Sequence, residues 1–356
     1  MKNIFIVFSF LSIIAFLSFT NKTKKHTEIS LNQKSKDCDS IEGMEKIICL
    51  INAFKATLSS PQIANLETEY TKDNIQIWSN LPAAISPRLG LKIGELSNDQ
   101  LFAAKALIKE ITGSTANEGW DEIQQIWMAD DFLNTKEPGG KYGAGNFFIA
   151  FLGTPSMNGT FEILLTGHHY TIANTYKNGK LAGATPRFEA VEPFTFVLNG
   201  KTYAPISQER DAMSALLNSL TEKQVIEAKS TNIFTNILLK PLNNWEFPEK
   251  RTGLQLNGLS PAQKQLVINV IKTYTDDISD NDANVILAKY ISELNDTYIT
   301  YSGAKTLSTQ NDYFRIDGPH IWIELSVQRG QVLPNEPYHF HSIWRDRESD
   351  YGGTRN

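Results

Sequence analysis

Four histidines lie in two short motifs that could hold a metal ion. His339 and His341 form a His-x-His pair within a strand-like run, and side chains on a strand alternate between faces, so both imidazoles share one face. His168 and His169 follow Gly167 at the end of another strand-like run. Neutral imidazole is a common ligand of zinc, copper and iron. The sequence therefore predicts a divalent metal of this group, held by His339, His341 and one or both of His168 and His169.

The local backbone decides how many of these imidazoles can meet. In a regular strand the adjacent His168 and His169 would point to opposite faces, so only one of them would join the His-x-His pair. A bulge at Gly167 would change this geometry. Two other interpretations fit the same residues: structural histidines bonded to backbone carbonyls and carboxylates, or a metal-free acid/base site.

Charged residues near the second motif could complete a reactive site. Asp317, Glu324 and Asp346 are candidate metal ligands, groups that orient an imidazole, or general bases. Arg315 and Arg345 would suit an anionic group of a substrate. The residues that we predict to be catalytic are Asp317, Glu324, Arg345 and Asp346. The alternative is that these charges form ion pairs on strand faces.

Several common activities lack their sequence motifs here. The chain contains no His-Glu-x-x-His, no Gly-x-Ser-x-Gly, no Gly-x-x-x-x-Gly-Lys and no Gly-x-Gly-x-x-Gly, which argues against standard metalloproteases, hydrolases and nucleotide-binding enzymes. The net charge is -5, and no basic stripe typical of a nucleic-acid binder is present. We expect a small-molecule substrate or a metal ion as the partner, and no nucleic acid.

The N-terminus has the pattern of a secretory signal. Lys2 precedes an apolar run at 4–19, and a polar, lysine-rich segment follows. We predict a signal peptide at 1–20, a polar tether at 21–39, and export to the periplasm or the extracellular space. The alternative is an uncleaved signal that anchors the chain in the membrane, since the apolar run is near the lower length limit for spanning it.

The chain has two cysteines, Cys38 and Cys49. In an exported protein such a pair is predicted to form a disulfide, which here would tie the tether to the first helix. A Cys-x-x-Cys motif is missing, so a thioredoxin-type redox site is excluded. Two separate buried thiols are the alternative.

Hydrophobic periodicity predicts an α+β fold. Apolar residues recur at helical spacing within 40–58, and a further helix is predicted at 121–132. The runs 145–152 and 160–174 predict paired strands. Helices that precede antiparallel strands, in a chain with 41% hydrophobic residues, predict a single α+β domain at 40–356.

The pattern of the first half of the chain recurs in the second half. Residues 88–100 align with 251–263, sharing Arg, Gly, Leu, Ser and Gln positions, and both segments end in a capping box that opens a helix. We predict an internal duplication of a helix-then-antiparallel-hairpin unit, at about 75–200 and 240–346, related by a pseudo-twofold axis. Coincidence of common cap and turn residues is the alternative.

Six short motifs form a set that covers most of the chain after about residue 45. They are Trp78-Ser-Asn-Leu-Pro82, Gly153-Thr-Pro-Ser156, Gly167-His-His169, Arg315-Ile-Asp-Gly-Pro319 with Trp322-Ile-Glu324, His339-x-His341-x-Ile-Trp-Arg-Asp346, and Asp350-Tyr-Gly352. Together they resemble the family called domain of unknown function 3500, found in exported bacterial and fungal proteins without an established activity. The resemblance implies that the two histidine motifs are its most distinctive polar elements. His320 departs from the family pattern, which has Arg after the Gly-Pro.

These observations predict an exported protein with a histidine-rich metal site. No motif identifies a reaction, so a metal-dependent enzyme and a metal-binding protein without turnover both fit the sequence. The alternative is a non-catalytic binding or scaffold module of the cell envelope, in which structural histidines brace the two repeats.

Overall fold

The structure, a computed structural model, describes residues 38–335 and 338–354. The predicted signal peptide at 1–20 and nearly all of the predicted tether at 21–39 lie outside the described residues. Within the described ranges, no helix combines the length and the apolar character needed to cross a membrane. The fold is a mixed α+β fold, as the sequence predicted.

Eight α-helices occur in the described part of the chain. They are α1 (Gly43–Lys55), α2 (Ser60–Leu66), α3 (Asn98–Glu110), α4 (Trp120–Lys136), α5 (Ser207–Ser219), α6 (Glu222–Ala228), α7 (Pro261–Thr275) and α8 (Asp280–Ser292). Short 3-10 helices lie at Asn74–Gln76, Ile93–Glu95, Ala144–Asn146, Leu256–Gly258, Leu294–Asp296 and Asp350–Gly353.

The same ranges contain fourteen strands. They are β1 (Glu67–Thr68), β2 (Leu91–Lys92), β3 (Phe148–Leu152), β4 (Thr160–Thr166), β5 (Tyr170–Lys177), β6 (Lys180–Gly183), β7 (Arg187–Val191), β8 (Phe196–Leu198), β9 (Lys201–Tyr203), β10 (Leu254–Gln255), β11 (Tyr298–Ser302), β12 (Tyr313–Asp317), β13 (Ile321–Gln328) and β14 (His339–Asp346). Twelve strands form one sheet in the order β1-β3-β4-β5-β7-β14-β13-β12-β11-β10, with β2 on β3 and β6 on β5. Strands β8 and β9 form a separate hairpin.

Four helices begin with a capping box, in which the N-cap hydroxyl and a glutamine three residues later satisfy each other's backbone N–H groups. The pairs are Ser59 and Gln62 (α2), Ser97 and Gln100 (α3), Thr221 and Gln224 (α6), and Ser260 and Gln263 (α7). The boxes at Ser97 and Ser260 confirm two predicted helix starts. The glutamines also join helices, since Gln100 Nε2 donates to Gln62 Oε1 at 3.0 Å. Gln263 Nε2 donates to Gln224 Oε1 at 2.8 Å.

The sheet separates a layer of helices from a layer of loops. On one face Trp344 of β14 belongs to a core cluster with Tyr274 of α7. On the other face Ile343 packs in a cluster with Trp78 and Tyr351, which come from long connections. Because side chains alternate along β14, its odd-numbered residues face the loops and its even-numbered residues face the helices.

The segment 160–174, which the sequence predicted as one strand, is two strands joined by a tight turn. Strand β4 ends at Thr166 and β5 begins at Tyr170, so Gly167, His168 and His169 form the turn, closed by Gly167 N donating to Tyr170 O at 2.9 Å. A Cβ at Gly167 would lie 2.3 Å from the Phe147 ring, so the turn requires glycine. The continuous apolar and β-branched character of the segment concealed this turn.

The two halves of the sheet contain elements in the same order. Each half has a two-residue strand, a 3-10 turn, two helices, a second 3-10 turn and then antiparallel strands, running from β2 to β7 and from β10 to β14. Strands β7 and β14 pair antiparallel and join the halves. This order is compatible with the predicted duplication, which stays a prediction, as does the single-domain boundary at 40–356.

Cys38 and Cys49 form the predicted disulfide, with their Cα atoms 5.8 Å apart. The bond links the start of the described chain to α1. A disulfide is consistent with an extracellular compartment.

Candidate metal centre

Three imidazole rings converge through the same ring atom. His339 Nε2 lies 3.1 Å from His169 Nε2 and 2.9 Å from His341 Nε2. One nitrogen from each ring lies within 4.8 Å of the others, and all three side chains are buried. The structure therefore brings together three of the four histidines that the sequence predicted as metal ligands.

Backbone pairing fixes the positions of these rings. His339 and His341 lie two residues apart on β14, on the face covered by loops, and His341 is paired with Ala190 of β7. Ala190 N also donates to His169 O at 2.8 Å, so the turn between β4 and β5 is held against the strand next to β14. Arg88 Nη2 donates to the Gly167 carbonyl at 3.1 Å and supports the same turn.

The Asn236 amide fixes the tautomer of His341. Asn236 Oδ1 accepts from Ile237 N at 2.8 Å and from Gln328 Nε2 at 2.8 Å, so this atom is an acceptor. His341 Nδ1 lies 3.0 Å from the same oxygen and must donate to it. The other ring nitrogen, Nε2, then presents its lone pair to the centre, as a metal ligand does.

Carboxylates stand behind the other two rings. His169 Nδ1 lies 3.8 Å from Asp130 Oδ1, and His339 Nδ1 lies 3.8 Å from Glu192 Oε2. Neither Nδ1 atom has a hydrogen-bond partner among the described residues. Oxygen acceptors behind ligating imidazoles orient the rings and raise their basicity, so a small movement would complete this arrangement.

His168 lies beside the centre and contributes a different contact. Its Nδ1 lies 2.7 Å from Asp130 Oδ1, and its ring stacks on His169 with centroids 3.5 Å apart. The Tyr142 ring covers its other side at 4.9 Å. The two adjacent histidines point the same way because they occupy a turn, where strand alternation does not apply. Asp130, His168 and His169 could also hold an ion together.

The environment keeps the converging rings neutral. Burial, followed by the neighbouring histidines, lowers the pKa of His169 and of His339 well below the usual range. Burial, followed by His168, lowers the pKa of His341 to about 3. Neutral imidazole is the form that binds a metal ion.

The spacing of the nitrogens fits a small ion. With metal–nitrogen bonds of about 2.0–2.1 Å, tetrahedral ligands are separated by about 3.3 Å, slightly more than the distances of 2.9 and 3.1 Å found here. Three histidines leave a fourth position for water or another ligand. The donor set suits zinc, copper or iron and not a hard cation such as magnesium.

The structure places the predicted catalytic residues in contact with other protein groups. Arg345 Nε donates to Asp350 Oδ2 at 2.7 Å, with both side chains buried. Arg347 Nη2 donates to Asp317 Oδ1 at 2.7 Å. Asp346 accepts from the Tyr290 hydroxyl at 2.8 Å. These contacts join β12 and β14 to neighbouring segments, and the catalytic assignment stays a prediction.

Glu324 has the most complete set of partners in this group. Its carboxylate accepts from Leu238 N at 2.7 Å and Leu239 N at 3.0 Å. It also accepts from the Tyr313 hydroxyl at 2.7 Å and from Trp322 Nε1 at 2.8 Å. Four donors on one carboxylate fix the connection at 238–239 against β13, which is the function these contacts indicate.

The groups behind the rings were not found from the sequence. Asp130 lies on α4, Glu192 follows β7, and Asn236 lies in the connection between α6 and β10, so no local spacing relates them to the histidines. His320, which departs from the family pattern, lies outside the centre and pairs with Glu293 and Glu348.

Comparison with known proteins gives one result that covers nearly the whole described chain. Searches against curated proteins and against solved structures give no match. The family described as protein of unknown function (DUF3500) matches residues 41–353, which confirms the resemblance seen in the motifs. The chain therefore belongs to this family.

Proposed function

We propose that this is an exported metal-binding protein in which His169, His339 and His341 hold one zinc, copper or iron ion, and that it acts as a metal-dependent enzyme on a small molecule. The convergence of three Nε2 atoms at 2.9 and 3.1 Å carries this proposal.

Proton accounting favours a cation at the centre. His341 Nε2 presents a lone pair, because the Nδ1 proton is donated to Asn236. His339 Nε2 contacts two other Nε2 atoms, and a single N–H proton can be directed at one of them. A metal ion satisfies all three lone pairs at once.

The surroundings of the centre support chemistry at an open position. A bound ion of this class acts as a Lewis acid and lowers the pKa of a coordinated water. The chain itself contributes fixed imidazoles, a nearly dry surrounding in which His339 and His341 are 5% and 4% exposed, and the nearby Glu192 carboxylate. Because the imidazoles of the centre are nearly inaccessible from the surface, a small substrate fits the centre better than a polymer does.

Under the proposed internal duplication, the centre lies between the two repeats. Support comes from the matching element order of the two halves, the paired capping boxes and the antiparallel pairing of β7 with β14, where a pseudo-twofold axis would pass. His169 belongs to the first half, and His339 and His341 belong to the second. An ion bound by all three would link the two halves.

Export is proposed from the leader-like N-terminus, and the Cys38–Cys49 disulfide supports it. In that setting the protein would meet its metal ion after leaving the cytoplasm.

Metal content provides the direct test. Protein purified without an affinity tag is measured by elemental analysis beside the double variant His339→Ala/His341→Ala. The control is His320→Ala, which removes a histidine that pairs with Glu293 and Glu348 outside the centre. We expect near-stoichiometric metal in the wild type and in the control, and its loss in a folded double variant.

The scaffold alternative predicts a different result. If neither the wild type nor the control retains metal after reconstitution with zinc, copper or iron, the centre is not a metal site. A double variant that loses stability with no metal to lose would assign the histidines a bracing role.

A further inference from the structure

Five carboxyl groups are buried together on the helix-covered face of the sheet, opposite the face that carries the histidine centre. They are Glu118, Glu122, Glu189, Glu209 and Asp277, of which Glu118 is 6% exposed and the others are 0–1% exposed. Their oxygens form two overlapping sets, Glu118 with Glu122 and Asp277, and Glu122 with Glu189 and Glu209. Within each set, one oxygen from each residue lies within 4.8 Å of the others. Glu122 belongs to both sets.

This carboxylate cluster lies between the sheet and the helices. Glu189 is on β7, paired with Ser342, whose hydroxyl contacts Tyr274 of α7 at 2.6 Å. Glu122 lies on α4 and Glu209 on α5. The cluster and the histidine centre are therefore on opposite faces of the same central strands.

One member of the cluster lacks a partner altogether. In the described part of the protein, both oxygens of Glu122 are buried without a hydrogen bond, whereas Glu189 with Asp277, and Glu209 with Glu118, are close enough to share a proton. By contrast, Asp277 Oδ1 accepts from Gly119 N at 2.6 Å. A buried polar group without a partner is unfavourable, so Glu122 needs a ligand or a proton that the other described groups do not supply.

The available positive charge does not balance the cluster. The buried Arg187 guanidinium is close enough to act electrostatically on Asp277 and Glu189. It donates Nη1 to the Tyr170 hydroxyl at 2.9 Å, while its Nε and Nη2 have no hydrogen-bond partner among described residues. One guanidinium against five carboxylates leaves an excess of negative charge, and isolated ions in a dry interior are strongly unfavourable. Either cations or protons must supply the balance.

We propose that the cluster is a calcium site, with Glu122 as the ligand common to both sets. Calcium takes about six to eight oxygen ligands at about 2.3–2.6 Å, and each set offers three carboxylates close enough together to reach one ion. Magnesium retains several waters and does not suit side chains that are 0–1% exposed. Zinc and copper prefer imidazole or thiolate, which this cluster does not offer.

The test uses the full protein after removal of calcium with a chelator and gel filtration. Isothermal titration with calcium chloride is expected to show one or two bound equivalents, and thermal unfolding is expected to shift upward with calcium concentration. Glu122→Gln, which keeps the side-chain volume, should weaken calcium binding at least 100-fold. Near-UV circular dichroism establishes that the variant is folded.

Two controls separate this site from other effects. Glu162→Gln alters a buried carboxyl group on β4 outside the cluster and should leave calcium binding unchanged. His339→Ala/His341→Ala should also keep it, so failure of the metal centre and failure of the calcium site are distinguishable. A wild-type protein that neither binds calcium nor gains thermal stability from it would overturn the proposal and leave protons as the balancing charge. Unchanged calcium affinity in folded Glu122→Gln would equally overturn it.

Discussion

Glu162 provides a stability switch whose size follows from its surroundings. The side chain is buried on β4, and Thr175 Oγ1 donates to its Oε2 at 2.9 Å. Its Oε1 has no partner within the described ranges. Burial, opposed by the Thr175 hydrogen bond, raises the pKa of Glu162 from 4.5 to about 8. Between about pH 4.5 and pH 8, the native protein therefore keeps a proton on Glu162 that the unfolded chain has already released.

The sign and the magnitude follow from this difference in bound protons. Below pH 4.5 both states are protonated at this site, so its contribution to stability is fully present. Above that pH the unfolded chain ionises while the folded chain does not, and stability falls until the pH passes about 8. Each pH unit in this window is worth up to about 1.4 kcal/mol. Raising the pH from about 5 to about 7.5 should therefore lower the free energy of unfolding by about 3 kcal/mol through this group.

The variant Glu162→Gln is neutral at every pH and can still accept from Thr175. Urea unfolding at several pH values should show that the free energy of unfolding of the variant, relative to the wild type, rises by about 3 kcal/mol between about pH 5 and 7.5. Taking the difference cancels the titration of the carboxylate cluster. The exposed substitution Glu137→Gln is the control and should show no such trend. A difference that stays constant within about 0.5 kcal/mol would refute the reasoning.

Two further predictions concern the disulfide and Glu324. Cys38→Ser/Cys49→Ser opens a loop with a sequence separation of 11 residues. Because the disulfide restricts the unfolded chain, its removal should lower the free energy of unfolding, measured in urea, by about 3 kcal/mol. A loss below about 1 kcal/mol would contradict this loop-entropy argument. Glu324→Gln turns amide protons toward some of four fixed donors, so we expect a loss of about 1–3 kcal/mol with metal content unchanged by elemental analysis. A fully stable Glu324→Gln variant that loses turnover would instead support the predicted catalytic role.

Local patterns were sufficient to predict many elements of the fold. The capping boxes at Ser97 and Ser260 fixed the starts of α3 and α7, because a hydroxyl and a glutamine three residues apart satisfy backbone groups within one turn. The helices predicted at 40–58 and 121–132 exist as Gly43–Lys55 and Trp120–Lys136. The difference lies at the ends, where tertiary contacts decide the last turn.

The candidate site was predictable only in part. The His-x-His pair was visible because strand alternation is a local rule, and His169 was visible by its motif. Asp130, Glu192 and Asn236 reach the centre from three separate elements, and this depends on the long-range pairing of β7 with β14. The carboxylate cluster was missed because its members come from separate elements that only the tertiary fold brings together. In addition, a single glutamate or aspartate in a sequence is typical of a solvated surface.

The distance along the chain between His169 and His339 determines when during folding the centre can form. These residues are 170 positions apart, and their rings meet only after β14 has joined β7. If the proposed ion binds there, its uptake would report that both halves of the sheet have formed, because a half-folded molecule would lack one of the two sets of ligands. Metal capture during refolding would thus act as a late checkpoint, and its rate would measure how fast the two halves of the sheet come together.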